Sequence, residues 1–229
     1  MILLRRINVT KKVIMLSGFK NAGKDTTAKL IADTVIGNNK PYNSCIYYAF
    51  ALPIKQAASV IFDIPFDILD GKTADNRKLR ETVNEFWSKI IPNFTPRKGL
   101  TMLGTDILRE HIHDDIWILN AQKQILECNY DLFIITDLRE PNEEIKIEQF
   151  CNDNNIEVLH INIVRELPSW YNVALKAYDG DQKSLDILTE LEVHASEWKQ
   201  VGLTPDIVIL NNSDDFKHNI IKQIENIQI

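Results

Sequence analysis

The nine residues Gly18-Phe19-Lys20-Asn21-Ala22-Gly23-Lys24-Asp25-Thr26 follow directly on the apolar run Val13-Ile14-Met15-Leu16. An extended strand that turns through two glycines and then meets Gly-Lys is the layout of a phosphate-cradling loop. The glycines let the chain wrap so that successive backbone N–H groups face an anion. The helix behind the loop, read over Lys24–Ile36, aims the positive end of its dipole at the same anion. Lys24 then serves the β and γ phosphates as a flexible point charge. One position departs from the commonest pattern. Asp25 stands where Ser or Thr is usual, and Thr26 comes one place late.

A loop of this kind belongs on a parallel sheet, and four further apolar runs supply one. They are Cys45–Phe50, Leu132–Thr136, Val158–Val164 and Ile207–Leu210. Nearly continuous apolar runs suit strands buried on both faces. Helical stretches lie between them: Ile54–Phe62, Asp75–Ile90, Lys98–His111, Ile116–Cys128, Glu143–Cys151 and Asp215–Ile227. Strands alternating with helices give a doubly wound α/β fold, with the chemistry at the carboxyl ends of the strands. The expected division is one domain whose core comprises residues 11–53, 131–165 and 204–229. Two insertions interrupt it, a helical one over 54–130 and a second over 166–203. Kinases of small phosphorylated substrates carry their acceptor-binding region and their lid at these two places; on position alone, the insertions equally read as decoration of the topology.

Composition narrows the function classes. At 229 residues, 45% hydrophobic and 25% charged, the chain is long enough for one substantial core and has the make-up of a soluble globular protein. A formal charge of −6 argues against non-specific nucleic-acid binding, which needs a basic face. Cys45, Cys128 and Cys151 have no paired metal-ligand spacing and read as reduced thiols. Met1–Asn8 lacks the apolar region of a signal peptide, and the run Ile46–Leu52 is too short to span a bilayer. These readings give a soluble, intracellular protein.

Outside the loop, the candidate residues sit where strands end. Asp137 and Arg139 follow the run Leu132–Thr136. An Asp there is placed to hold Mg²⁺, directly or through water, or to bind an acceptor; Arg139 is placed to clamp a phosphate with its bidentate fork. As a local pattern, Asp-x-Arg equally describes a surface ion pair. Arg165 ends the fourth run and suits a lid arginine that neutralises transition-state charge, or a solvated surface cation. His194 and Glu197 close the second insertion; by themselves they look like a cap or surface pair. In the first insertion, Lys55, Arg97 and Arg109 are cations for an acceptor phosphate, and Thr105 and Asp106 offer a hydroxyl and a carboxylate for reading a sugar or base edge. Trp117 reads as core rather than as a stacking platform.

Seven stretches in order make the chain resemble the bacteriophage-type deoxynucleoside monophosphate kinases. They are LSGFKNAGKDTTAKLIA, FALPIKQA, LGTDILR with DIW after it, TDLREPNE, HINIVRE, HASE and PDIVILNN. The Gly-Lys-Asp variant of the loop is itself a feature of that family and of animal-type phosphomevalonate kinases. The resemblance implies a P-loop fold of the nucleoside monophosphate kinase type, with a parallel sheet and two helical insertions. It implies ATP as phosphoryl donor over Gly18–Thr27, with Asn21, Ala22, Gly23, Lys24, Asp25, Thr26 and Thr27 lining the cradle. Mg²⁺ falls to Asp25 and Asp137, and transfer to Lys24, Arg139 and Arg165. A deoxynucleotide site falls to Lys55, Arg97, Thr105, Asp106, Arg109, Asp137, Arg139, Glu143, His194 and Glu197. The family pattern is left between Arg165 and His194, where the interval is long and includes Pro168-Ser169-Trp170-Tyr171.

The expected activity is transfer of a phosphoryl group from ATP to a deoxynucleoside monophosphate in the cytoplasm, that of a host cell if the chain is viral. Nucleotides would be its partners, without nucleic acid or membrane, and related kinases leave a homodimer open. Two alternatives stand beside it: a kinase of another phosphorylated metabolite, of phosphomevalonate or dephospho-coenzyme A type, and an ATP-binding regulatory protein without transfer activity.

Overall fold

The structure is a computed structural model and describes residues 11–38, 40–211 and 215–226. Met1–Asn8, Asn39, Asn212 and Ile227, which entered the sequence reading, lie outside the described residues. The chain forms two compact units, one made of the part up to Ala49 with that from Gln124 onward, the other of Phe50–Lys123.

The first unit is built on a five-stranded sheet of β1 (Lys12–Ser17), β2 (Cys45–Tyr48), β3 (Leu132–Ile135), β4 (Glu157–Val164) and β5 (Ile207–Leu210). All pairs are parallel, in the order β2-β3-β1-β4-β5. The central strand β1 pairs Ile14 with Ile134 on one side and Leu159 on the other. Every residue of β1 and β3 is buried, as their unbroken apolar runs require. The edge strands depart from the expectation of burial on both faces. Tyr47 in β2 and Val208 and Leu210 in β5 are half exposed. Edge strands have a neighbour on one side only, so helices need not cover both of their faces.

Helix Lys24–Val35 follows the loop and buries Thr27, Ala28, Ile31, Ala32 and Val35, the spacing of a single helical face. That face joins Ile14 and Leu16 of β1, Ile161 and Ile163 of β4, and Ile220 and Ile224 of helix Phe216–Asn226 in one core. Helix Pro141–Asp153 begins with Pro141 in its first turn and a capping box between Glu140 and Glu143. The 166–203 insertion is itself helical, with Tyr171–Tyr178 and Gln182–Glu190. Ala174, Ala177 and Leu188 are buried at its centre, with Trp170, Val173, Leu185 and Trp198 packed around them. Asp181 starts the second of these helices by accepting the Ser184 N–H at 3.0 Å.

The second unit is a helical cluster around Ala58, Phe62, Ile64, Leu69, Phe94 and Leu103. Its helices are Leu52–Phe62, Phe66–Asp70, Ala74–Glu81, Pro96–Thr101 and Leu108–His111, with the greater part of Ile116–Glu127. The expected helix Asp75–Ile90 breaks at Thr82, and only a short 3₁₀ turn, Trp87–Lys89, follows. Asn84 accounts for the break. Its N–H donates to Phe94 O at 2.8 Å and its side chain accepts the Trp87 N–H at 3.1 Å, diverting the backbone into a turn. The expected helix Lys98–His111 does form, starting at Pro96 behind the Thr95 cap, but residues Met102–Ile107 are wound as a π-helix. The wider winding alters the local carbonyl register, and Gly104 O accepts the Trp117 indole N–H at 3.1 Å. Trp117 is 5% exposed, a core residue as its sequence context suggested.

Candidate active site

The loop after β1 is built from two glycines with positive φ, Gly18 at 139° and Gly23 at 104°. A Cβ on Gly18 would collide with the carbonyl oxygen of Ile163 in β4, so the loop lies directly on that strand. A Cβ on Gly23 would lie 2.9 Å from Asn211 Nδ2 and 3.2 Å from the Phe216 ring. Asn211 Nδ2 donates to Ala22 O at 2.7 Å and thereby pins the loop from the far end of β5. Thr27 N donates to Gly23 O at 2.9 Å, the first helical bond behind the loop. Lys24 Nζ donates back to the carbonyls of Gly18 at 2.5 Å and Phe19 at 3.2 Å.

Charge gathers around that ammonium. Burial and the neighbouring Arg139 guanidinium lower the Lys24 pKa to about 8, while Asp25 and Asp137 oppose them. Asp137 is carried to this place by the backbone. Thr136 N donates to Tyr48 O of β2 and Leu138 N to Leu16 O of β1, stitching the segment across two strand ends. Glu143 is 4% exposed, and its Oε2 accepts the N–H groups of Arg139 at 3.0 Å and Glu140 at 3.1 Å. Burial raises its pKa to about 7, with the charges of Asp137 and Glu140 adding to the rise. Lys24, Asp25, Asp137, Arg139 and Glu143, drawn from two places in the sequence, are therefore electrostatic neighbours.

Asp25 is exposed and Asp137 half buried. Among the described residues no group of three or more His, Cys, Asp or Glu side chains forms a metal cage. Two carboxylates beside a phosphate loop fit Mg²⁺, which takes one or two protein carboxylates and fills the rest of its octahedron with water and phosphate oxygens.

Three other candidates of this unit sit further along the chain. Arg165 is exposed immediately after β4. His194 caps the short helix Ala195–Trp198, its Nδ1 accepting from Ser196 N at 3.2 Å, and Glu197 N donates to His194 O at 2.8 Å. In the second unit, Lys55 is paired with Asp70 at 2.8 Å, and Lys72 lies 3.0 Å from the same carboxylate. Arg97 pairs with Glu81 at 3.0 Å. Thr105 and Asp106 lie on the π-helical segment, and Arg109, half buried, follows on Leu108–His111. Sequence reading missed Asn211 and Phe19 as parts of the loop's support. No local pattern marks Asn211, whose partner Ala22 is 189 residues away.

No protein-family model matches the chain. It is similar to the deoxynucleoside-5'-monophosphate kinase of Escherichia phage T5, 27% identical over 197 residues covering 66% of this chain and 77% of the relative. Looser likenesses in solved structures include the Mycobacterium tuberculosis APS kinase CysC in complex with AMPPNP and APS, at 12% identity, TM-score 0.41 and 95% coverage of both chains. A gluconokinase from Sinorhizobium meliloti 1021 matches at 10% identity and TM-score 0.41, covering 96% of this chain and 94% of that one. No helix among the described residues is long and apolar enough to cross a membrane. The resemblance to the bacteriophage-type deoxynucleoside monophosphate kinases is borne out by this similarity in sequence to a phage enzyme of that name, and the fold is the expected one, a five-stranded parallel sheet flanked by helices with a glycine-built loop after its central strand.

Proposed function

We propose that the protein transfers a phosphoryl group from ATP to the phosphate of a deoxynucleoside monophosphate. The observation that carries this reading is the grouping of Lys24, Asp25, Asp137 and Arg139 at the end of a glycine-built phosphate loop. The likeness to the phage T5 kinase supplies the acceptor class.

Phosphoryl transfer asks little covalent chemistry of a protein, so rate comes from positioning and charge neutralisation. The acceptor phosphate oxygen is already anionic and needs no general base. Lys24, released from the Gly18 and Phe19 carbonyls, donates instead to phosphate oxygens, and the loop's backbone N–H groups orient the donor. Asp25 and Asp137 would hold Mg²⁺, which when bound neutralises charge on the β and γ oxygens. Arg139 and Arg165 counter the negative charge of acceptor and transition state. Glu143 supports Arg139 through its backbone. Lys55, Arg97, Thr105, Asp106 and Arg109 are assigned to acceptor recognition, and His194 and Glu197 to the end of the lid. A soluble cytoplasmic enzyme acting on nucleotides, free or as a homodimer, is the setting this reading entails.

The test is a turnover screen of all deoxy- and ribonucleoside monophosphates with Mg-ATP, with phosphomevalonate and dephospho-coenzyme A alongside. Turnover of one or more deoxynucleotides is the expected result. Transfer to another acceptor class alone, or ATP binding without any transfer, would overturn the proposal.

A further inference from the structure

Beneath the phosphate loop runs a line of polar side chains that the mechanism above does not use. Ser17, the last residue of β1, places its Oγ 2.7 Å from His160 Nε2. On the other edge of the ring, Nδ1 lies 2.5 Å from Glu144 Oε1. Both carboxylate oxygens of Glu144 accept the backbone N–H of Thr204 at 3.1 Å, where the 166–203 insertion rejoins the core. The backbone N–H of His160 donates to Asp206 Oδ2 at 2.8 Å, one residue before β4 begins to pair with β5. Ser17 and His160 are fully buried and Glu144 is 1% exposed.

Burial pushes the Glu144 carboxyl up, but hydrogen bonds from His160 and Thr204 outweigh it and hold its pKa below the ordinary value. With Glu144 ionised, His160 Nδ1 is the donor to it, which leaves Nε2 facing the Ser17 hydroxyl. Carboxylate, imidazole and hydroxyl in this order are the parts of a hydrolytic triad. Here the hydroxyl is sealed inside the sheet, so no substrate reaches it. What the line does reach is the loop, because Ser17 is joined by one peptide bond to Gly18. A buried polar network that is fully satisfied makes its surroundings rigid and directional, where apolar packing would only fill space.

We propose that His160 and Glu144 are positioning residues for the phosphate loop, tying Ser17 to Thr204 so that the loop's N–H groups keep the direction a polyphosphate needs. As regards catalysis the proposal rests on reading the loop as the ATP cradle; as regards loop order it does not.

Ser17→Ala removes the hydroxyl and nothing else. Amide hydrogen exchange on nucleotide-free protein is expected to accelerate at Gly18–Lys24 and to stay at the wild-type rate in helix Gln182–Glu190. The KM for ATP is expected to rise about fivefold while the acceptor KM is unchanged, a split that general loss of stability does not produce. Glu144→Gln, which keeps the side-chain shape, is read in the same two assays and serves if Ser17→Ala does not fold. Faster loop exchange in a protein whose wild type binds no ATP by calorimetry supports the positioning role and sinks the ATP reading alone. Folded variants with wild-type exchange at Gly18–Lys24 and wild-type ATP KM overturn the proposal, whatever their melting temperatures.

Discussion

Phe19, in the phosphate loop, meets Trp170 of the 166–203 insertion edge to face, with ring centroids 5.4 Å apart. Tyr171 approaches the same ring at 5.9 Å. The carbonyl of Phe19 is also one of the two that hold the Lys24 ammonium. The insertion thus grips the residue on which the lysine rests. Acting as the proposed lid, the insertion would exclude water, which otherwise competes with the acceptor for the phosphoryl group. Replacing Glu166–Glu192 by a short Gly/Ser linker is expected to lower transfer and raise the proportion of ATP hydrolysed, with ATP binding largely kept. Product analysis by chromatography reads both outcomes; wild-type coupling in the shortened protein would assign the insertion to the surface.

Lys24→Ala is expected to abolish transfer and leave the fold intact, since the ammonium is hydrogen-bonded to the loop carbonyls of Gly18 and Phe19 rather than packed in the core. Loss of a preorganised charge costs about 3–4 kcal/mol in the transition state, on the order of a hundredfold or more in rate. Circular dichroism with steady-state kinetics checks this. A folded variant with near-normal turnover removes the loop from the chemistry.

Asp25→Ser restores the commoner residue after the loop lysine. The backbone cradle does not depend on that side chain, so ATP affinity is expected to stay within about tenfold. The Mg²⁺ dependence of turnover is expected to change, because a carboxylate beside a polyphosphate is repulsive until a cation lies between them. A metal titration superimposable on that of the wild type takes Asp25 away from the metal.

Glu143 and Glu144 are adjacent and buried, yet the structure moves their pKa values in opposite directions from the ordinary 4.5. For Glu143, raised to about 7 chiefly by burial, the folded state binds the extra proton, so its contribution falls as pH rises from 4.5 to about 7. For Glu144 the sign reverses: its contribution is present above 4.5 and is lost as pH falls through the lower folded value. Glu143→Gln is therefore expected to gain stability relative to the wild type between pH 4.5 and 7. Glu144→Gln is expected to lose at neutral pH, with the gap closing below 4.5. Urea denaturation across this range reads both; parallel profiles would contradict the assignment.

Much of this architecture was legible in the residue string because its signals are local. Unbroken apolarity marks the central strands, the spacing of Gly18, Gly23 and Lys24 marks the loop, and strand-end position marks Asp137 and Arg139. The break at Thr82 and the π-helical winding of Met102–Ile107 left no such mark. Both are arranged around partners elsewhere, the Phe94 carbonyl for Asn84 and the Trp117 indole for Gly104. The aromatic pair Trp170-Tyr171 stood out in the sequence, but its partner Phe19 did not, being one residue of a loop whose pattern is carried by its glycines and lysine.

The sequence by itself determined that an apolar strand runs into a glycine-built anion cradle, that further buried strands accompany it, and that carboxylate and guanidinium groups follow one of them. Only the tertiary structure decided which strands lie beside β1. All five runs are similarly apolar, so apolarity encodes burial and leaves the order open; crossovers and helix packing select β2-β3-β1-β4-β5. That order brings the Ile163 carbonyl under Gly18 and His160 against Ser17 from one flank, and the Asp137–Arg139 segment toward Lys24 from the other. The charge around the lysine and the polar line beneath the loop are thus products of strand adjacency, which side-chain patterning along a single strand cannot specify.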